Sequence, residues 1–445
     1  MVGKASLILI IGFTLIFMVM GYFWGGIATR SVDNHVSYYK NTIAHNIAVT
    51  GANLSLHEIL KDSSWNAGIS NRDYEYGKIN VTVTDSLADT VKIIKSVGTF
   101  MGVDAVVTVK LHLSSFAKYA WWIAAVSTGS KNKRTWVTGD TVWGGFHSDQ
   151  FLNIDGDPVF YGRVSTEKGL KMTPGSAPQF MGGLYTGVHV EWNQNMKLTT
   201  QAAAADAGVL AGGTCKFDNV DLWLTFNSNG TVTYRSAKNA GNDSTKYPPS
   251  NILPLTTMAP TGIIYLDKGD VYLSGTLYGQ VTVVSDQSSG AGGGNVYFTG
   301  DMVYNTPPML PDGLGGYYPN DACTDKMGII TTNNIIISSK NTANNLGGYQ
   351  NNIVSKDLQV DAGIMSLGGG FELEDLNPTY MNTLTGTIYL RGSMIAGKEE
   401  QIANYNNGLL LGGYDRHIVL DERFLARPPL WFPYSDGYEI ISWLE

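Results

Sequence analysis

Residues 5–29 read ASLILIIGFTLIFMVMGYFWGGIAT, and this stretch decides how the rest of the 445-residue chain is interpreted. It contains no charged residue, and about 20 apolar residues are enough to cross the hydrocarbon core of a bilayer. The stretch therefore predicts a transmembrane anchor over residues 1–30. Lys4 is the only charged side chain before it, which favours a cytoplasmic N-terminus.

The alternative to an anchor is a cleaved signal peptide. The apolar core of such a peptide spans roughly 7–15 residues and ends at small residues of the A-x-A type. The run here is longer, and the sequence GGIATR at residues 25–30 makes a poor cleavage site. We therefore interpret it as an uncleaved anchor that carries the remaining chain.

Composition indicates a β-rich protein that does not bind nucleic acid. Charged residues make up 15% of the chain, and there are 52 glycines; the usual charged fraction is ~25%. Tyr, Thr, Asn, Gly and Val are prominent, which suits short strands and tight turns. The net charge of −8 argues against nucleic acid as a partner, because phosphate binding requires a basic surface.

Residues 31–66 continue the anchor as an amphipathic helix. Apolar residues recur at steps of three and four, as on one face of a helix: Val32, Val36, Tyr39, Ile43 and Ile47. That face needs a partner, either a sheet of the same chain or the stems of neighbouring molecules.

Residues 67–134 predict a small antiparallel sheet. Apolar residues alternate with polar ones in residues 77–84 and again in residues 105–113, as expected for half-buried strands. Residues 91–97 predict a third strand between these two.

The remaining chain predicts a stacked β structure. Three phrases share one pattern around a central Tyr and a following Gly: DVYLSGTL at 270–277, NVYFTGDM at 295–302 and TIYLRGSM at 387–394. A repeated strand-and-corner unit is typical of a solenoid. We therefore predict a right-handed parallel β-helix in residues 135–205 and 251–412, with an insertion at 206–250. A β-sandwich built from similar hairpins is the alternative. The fold class is mainly β with a long N-terminal helix.

Residues 413–445 predict a C-terminal cap. Two consecutive prolines hold the chain extended before Leu430, Trp431 and Phe432. These three side chains are too apolar to lie free, so we expect them to seal the open end of the stack. The last residues, from Tyr438, return as a strand.

Few residues carry chemistry. The pattern Asn153-x-Asp155-Gly-Asp157 has the spacing of oxygen ligands for calcium, but the Glu of a helix-flanked calcium loop is absent. An acidic group at Glu372, Glu374 and Asp375 could belong to a polysaccharide-cleaving site or to a charged loop. His147 lies in a Gly-rich corner and is interpreted as a turn histidine. We predict no catalytic and no cofactor-binding residue.

The chain has two cysteines, Cys215 and Cys323. In an oxidising compartment they could form a disulfide, and closing so long a loop would stabilise the fold by roughly 4–5 kcal/mol. Two unrelated buried thiols are the other interpretation.

Three motifs resemble bacterial PilX-like pilus-assembly proteins, the class of large minor pilins. They are GDTVWGGFH at 139–147, the Ile-Tyr-Leu…Gly phrases, and the ending DERFL…PP…FP…YEIISW at 421–443. The resemblance implies an inner-membrane, single-pass protein with its ectodomain in the periplasm or on the cell surface. It also implies other pilins as partners, in a type IV pilus or a type II secretion-like system.

One departure from that family concerns the leader. The candidate prepilin cleavage site follows Gly3, which places Ile8 where mature pilins of the family have Glu. This argues against processing and against polymerisation as a major pilin. The leading hypothesis is a non-catalytic structural subunit with an adhesive ectodomain. The alternative is an anchored β-helix protein that binds surface glycans or cleaves polysaccharides.

Overall fold

A single helix runs without a break from Val2 to Lys61 and is called the stem here. The computed structural model describes residues 2–86, 91–126, 135–192, 196–238, 248–287, 293–338, 357–374, 385–406 and 409–445. These residues are mainly β, and they divide into two compact units. The first unit is Met1–Ser114 with Asp436–Glu445, and the second is Ser115–Ser435.

In the first unit, a five-stranded sheet covers one side of the stem. Its strands, in spatial order, are Ile69–Tyr74, Gly77–Ser86, Val91–Phe100, Val103–Ser115 and Tyr434–Leu444. The first four are joined by antiparallel pairs. The three strands predicted between residues 77 and 113 are therefore confirmed, in the predicted order.

The stem packs on this sheet through its C-terminal half alone. Buried residues of the stem, Ala44, Ile47, Ala48, Ala52 and Ile59, share one core with Ile79, Val81, Ile94, Val107, Val109 and Leu111. Of the predicted apolar face, Ile43 and Ile47 belong to this core, whereas Val32, Val36 and Tyr39 remain exposed. The sheet thus covers part of the face and leaves the part nearer the anchor open.

Gly98 lets the stem approach the sheet closely. A Cβ atom at this position would lie 2.2 Å from the carbonyl oxygen of Ala44 and 2.4 Å from the amide nitrogen of Ala48. Because both contacts are to backbone, the whole helix would have to move away. We expect Gly98→Val to cost about 3 kcal/mol of stability, measured by thermal unfolding of the full-length protein in detergent micelles.

Gly437→Val is the matched control for that substitution. Gly437 lies in a strand of the same sheet, and a Cβ atom at this position would meet no other atom within 4 Å. Its substitution should leave the unfolding temperature nearly unchanged. Equal behaviour of the two variants would contradict the close packing of stem and sheet.

The second unit is built on one 22-stranded sheet. Its strands as the structure has them are Tyr119–Val126, Thr141–Trp143, Gly145–Ser148, Val159–Phe160, Val164–Thr166, Gln179–Phe180, Leu184–Thr186, Lys216–Asp218, Asp221–Phe226, Thr231–Ala237, Asn251–Pro254, Ile263–Asp267, Val271–Leu277, Gln280–Asp286, Val296–Tyr304, Lys326–Thr331, Ile335–Ile337, Leu358–Ser366, Phe371–Leu373, Thr385–Glu399, Ala403–Asn406 and Leu409–Leu420. Smaller sheets join Trp136–Val137, Leu152–Asp155 and Leu170–Met172, and Met309–Pro311 with Tyr317–Pro319. Helices described here are Thr199–Leu210, Leu255–Met258 and Arg423–Ala426.

Most neighbouring strands of the large sheet are parallel, and the stretch of chain from one strand to the next strand that pairs with it in parallel is called a coil here. Val271 pairs with Val296, and Val296 with Ile335, so that apolar side chains stack from coil to coil. Antiparallel pairs join Asp221–Phe226 to Thr231–Ala237, Thr231–Ala237 to Asn251–Pro254, and Ala403–Asn406 to Leu409–Leu420. The sheet is therefore mixed.

The coils do not stack in chain order. The strand Tyr119–Val126 pairs with Gly145–Ser148 on one side and with Thr385–Glu399 on the other. From there the chain forms coils to residue 186. It then resumes with Lys216–Asp218, which pairs with Ile263–Asp267, and with Asp221–Phe226, which pairs with Val271–Leu277. It returns coil by coil to Leu409–Leu420, which pairs with Thr141–Trp143. Three strands of the segment expected as an insertion at 206–250, namely Lys216–Asp218, Asp221–Phe226 and Thr231–Ala237, thus belong to the same sheet.

Turn side chains bond each coil to the next. The Asn295 side chain donates to Asp270 Oδ1 (3.0 Å), and Asn295 Oδ1 accepts the backbone N–H of Asn334 (3.0 Å). Asn334 Oδ1 accepts the N–H of Gly370 (3.0 Å). Hydroxyl groups make a second series: Ser285 donates to Gly269 O, Thr331 to Gly294 O, and Ser366 to Asn333 O. These polar turn groups are therefore satisfied by their neighbours in the next coil.

The three repeated phrases do not occupy equivalent positions. Tyr272 and Tyr297 pair in register and their rings stack, whereas Tyr389 pairs with Gln359 and His417 in a different row of strands. The phrase does not predict which row of strands it joins, because strands of both rows have alternating apolar residues and end at a corner.

The segment 430–432 does not seal an open end of the stack. Phe432 is buried with Ile263, Val284 and Ile330, along the side of successive coils. Trp431 Nε1 donates to Thr261 O (2.8 Å), and both Leu430 and Trp431 remain partly exposed. Beside this segment, Pro429 lies against Gly328 and Gly363, whose missing side chains make room for it.

Candidate membrane anchor and binding surfaces

The N-terminal half of the stem is apolar and exposed. Its large side chains, from Leu7 to Ile27, are mostly more than half exposed, and a helix rises 1.5 Å per residue. The uncharged residues 5–29 therefore extend over roughly 38 Å, enough for the ~30 Å hydrocarbon core of a bilayer. Among the described residues, this is the one helix long and apolar enough to cross a membrane.

The C-terminal end of this apolar segment carries groups that suit a membrane interface. Tyr22 and Trp24 are exposed just before Arg30, which is the next charged residue. Tyr and Trp are enriched at headgroup level, and Lys and Arg extend their charges toward water. The segment is thus compatible with single-pass anchoring.

The predicted calcium ligands are engaged in separate contacts. Asp157 Oδ1 accepts the backbone N–H of Ala177 at 2.7 Å. Asn153 lies in the strand Leu152–Asp155, where it pairs with Lys171. In the part of the chain that the structure describes, the group of donor atoms close enough to hold a cation lies elsewhere, at Asp149, Glu167 and His189.

His147 is buried in a strand, and its interpretation as a turn histidine is wrong. It lies in Gly145–Ser148 and is fully buried. Its Nε2 is 2.7 Å from Asp149 Oδ1, and its Nδ1 is 2.8 Å from Ser165 Oγ. The strand continues through this position because it is paired on both sides, with His147 opposite Trp122 in one neighbouring strand and opposite Ser165 in the other.

The acidic residues after the triple glycine take part in structural hydrogen bonds. Glu372 Oε1 accepts from the Asn334 side chain at 2.8 Å, and Glu374 Oε2 accepts from Ser338 Oγ at 3.0 Å. Burial raises the pKa of Glu372, and the Asn334 hydrogen bond opposes that rise. Asp375 lies outside the described residues.

The two thiols are free, so the disulfide considered from the sequence is not formed. Cys215 Sγ donates to Ala205 O (3.4 Å), while Cys323 Sγ donates to Thr306 O (2.9 Å). Burial raises the pKa of both thiols. Each sulfur is thus held by its own backbone partner.

We expect both cysteines to resist a thiol reagent in the native protein and both to react after denaturation without reductant. Only the thiolate reacts, and burial disfavours it. Mass spectrometry after alkylation under the two conditions measures the result. Two unreacted cysteines in denaturant, recovered by prior reduction, would show a disulfide and contradict the expectation.

An aromatic patch lies at the surface of the second unit. The ring of Trp143 stacks on that of Tyr161 (centroids 4.3 Å apart, interplanar angle 12°). Tyr317 meets Trp143 edge-on, and its hydroxyl is 2.8 Å from His417 Nε2. Burial lowers the pKa of His417. Tyr161 is exposed, so the patch presents a rigid aromatic surface.

A half-open groove of about 890 Å³ lies elsewhere on the second unit. Phe217 and Tyr265 line it together with Lys216, Asp267 and Asp286. The Tyr265 hydroxyl donates to Asp286 Oδ2 at 2.5 Å, and burial raises the pKa of Tyr265. The groove therefore combines ring faces with polar groups of both charges.

Comparison with known proteins adds a weak likeness. No protein-family model matches this chain, and no curated protein matches it either. Among solved structures, it is similar to the competence-associated pilin ComZ from Thermus thermophilus, with 13% identity over 91% of this chain and 97% of that one. The TM-score is 0.28, which is too low for any conclusion about this protein to depend on it.

Sequence reasoning located the anchor correctly but not the grouping of Asp149, Glu167 and His189. These residues are 18 and 22 positions apart and match no short metal-binding motif. The spacing between paired strands could have predicted this grouping, because residues that directly follow two paired strands lie next to each other.

Proposed function

We propose that this protein is a non-catalytic structural subunit, a PilX-like minor pilin or pilin-like surface protein of a type IV pilus or type II secretion-like system. The observation that carries the proposal is the stem. One continuous helix, Val2–Lys61, has an exposed apolar half long enough for a bilayer and a second half fixed to a sheet. A subunit that inserts in the membrane and associates with the stems of other pilins needs both parts.

The second unit is inferred to be a right-handed parallel β-helix that provides the surface for adhesion. Parallel, in-register pairs between successive coils and the Asp270–Asn295–Asn334 series support this inference. Parallel crossover connections are right-handed in about 98% of cases. The structural hydrogen bonds of Glu372 and Glu374 favour a role without catalysis.

The membrane orientation can be tested with one introduced cysteine. Leu314 is 93% exposed, and the native cysteines are buried. Leu314→Cys should react with a membrane-impermeant maleimide in intact cells or spheroplasts, whereas the unsubstituted protein should not. Labelling only after lysis would place the second unit in the cytoplasm and contradict the proposed inner-membrane topology.

Assembly is tested by isolating surface filaments and searching for this chain by mass spectrometry. We expect the chain in sheared filaments at a low ratio to the major subunit, with its N-terminal peptide reporting whether cleavage occurs after Gly3. Consistent absence from filaments, with monomers spread through the membrane, would contradict the filament role.

Glycan binding is the second candidate function, and the Trp143–Tyr161 stack favours it. Sugar rings bind well to exposed aromatic faces, which combine apolar area with little loss of conformational entropy. If this candidate holds, Tyr161→Ala should abolish retention on a glycan array, and Phe217→Ala in the groove should not. The reverse result would move the binding site to the groove, and no binding by the unsubstituted protein would eliminate the candidate.

A further inference from the structure

Three successive coils bring Asp149, Glu167 and His189 together at one edge of the large sheet. The strands Gly145–Ser148, Val164–Thr166 and Leu184–Thr186 pair in parallel, with Ser148 opposite Thr166 and Thr166 opposite Thr186. Asp149 and Glu167 directly follow the first two strands, and His189 comes three residues after the third. The register therefore places their side chains side by side although they are distant in sequence.

The donor atoms of these residues are close enough for a single ion. One oxygen of Asp149, one of Glu167 and one ring nitrogen of His189 all lie within 4.8 Å of one another. His189 Nδ1 is 3.2 Å from Glu167 Oε2. Two carboxylates at this separation repel each other, and a bound cation would remove that repulsion.

Asp149 is buried, and hydrogen bonds fix the orientation of its carboxylate. Its side chain is 8% exposed, and its Oδ1 accepts from His147 Nε2 (2.7 Å) and from the backbone N–H of Val190 (3.3 Å). His147 is fixed in turn by Ser165 Oγ (2.8 Å). Buried partners that orient a ligating group in this way are a regular part of metal sites. Glu167 and His189 are more exposed, so solvent can reach the site.

We propose that Asp149, Glu167 and His189 form a binding site for one zinc or first-row transition-metal ion. Imidazole nitrogen combined with carboxylate oxygen suits these ions, whereas calcium and magnesium prefer oxygen alone. Three protein ligands leave a coordination position for water or for a group from a partner. Since the ligands come from three coils, the ion joins those coils at their edge.

The test is calorimetric titration of the metal-free, full-length protein in detergent micelles with ZnCl₂ at neutral pH. We expect one ion per chain. His189→Ala and Glu167→Gln should each weaken binding at least tenfold, and both positions are exposed enough for the variants to fold. His45→Ala is the control, since His45 is also partly exposed and lies next to a carboxylate of Glu445 (3.4 Å); it should leave zinc affinity unchanged.

Three results would overturn the proposal. They are the absence of saturable zinc binding, zinc binding that persists in both site variants, and a loss of zinc affinity in the His45→Ala control as large as that in the site variants. A parallel titration with CaCl₂ tests the class of ion. Tighter binding of calcium than of zinc, lost in Glu167→Gln, would show an oxygen-type site and contradict the assignment to zinc or a transition metal.

Discussion

Replacing Leu15 and Val19 together by lysine is expected to release the protein from the membrane. The two residues lie one helical turn apart near the middle of the uncharged run, and both side chains are exposed on the stem. On the insertion scale, each exchange of an apolar residue for lysine at a helix centre costs roughly 3–4 kcal/mol, hence roughly 6–8 kcal/mol for the pair. Alkaline carbonate extraction of membranes measures the outcome.

Val32→Lys with Val36→Lys is the matched control. These valines have the same spacing, lie on the same helix and are exposed, but they follow Arg30 and stand outside the uncharged run. The control protein should remain in the membrane pellet. If both pairs behave alike, the apolar segment is not the anchor.

Arg416→Met is expected to destabilise the second unit by about 3–5 kcal/mol, because it leaves a buried carboxylate without its charge partner. Arg416 and Asp140 are almost completely buried. The guanidinium donates to both oxygens of Asp140 (2.7 and 3.2 Å) and to Thr135 O (2.5 Å), and it lies 3.9 Å above the ring of Trp136. Urea unfolding followed by tryptophan fluorescence measures the change.

Lys268→Met provides the comparison for that ion pair. Lys268 pairs with Asp218 at 3.2 Å and with Asp267 at 3.6 Å; the Lys268 side chain is half-buried and that of Asp218 is exposed. Exposed pairs are worth about 0–1 kcal/mol, so the unfolding midpoint should scarcely move. If Arg416→Met lowers the free energy of unfolding no more than Lys268→Met does, the buried ion pair stabilises the fold no more than an exposed one.

The first unit could be predicted from the sequence because its signals are local. The uncharged run and the steps of three and four describe the stem, and strict alternation describes the strands around Val81 and Val109. What the sequence did not reveal is where the sheet stops covering the stem. Nor did it reveal the close backbone contact of Gly98 with Ala44 and Ala48, which a hydrophobic pattern does not encode.

The second unit could be predicted only in part, because its strand pairs join distant residues. Alternation and corner glycines predict short strands, and Gly275, whose φ is +114°, supplies one such corner. No local pattern states that Tyr119–Val126 pairs with Thr385–Glu399, or that Phe432 packs along the side of the coils. The metal-ligand group escaped prediction for the same reason, since it exists only once the coils are in register.

The late pairing of the chain's last strands has a consequence for biosynthesis. Leu409–Leu420 closes the row between Thr385–Glu399 and Thr141–Trp143, and Tyr434–Leu444 completes the sheet of the first unit. Neither unit can be finished until the ribosome has released nearly the whole chain, and contacts of such long range form slowly. A stop codon before Leu409 therefore leaves Thr385–Glu399 and Thr141–Trp143 without the strand that joins them, whereas a stop between Leu420 and Tyr434 removes only the last strand of the first unit's sheet.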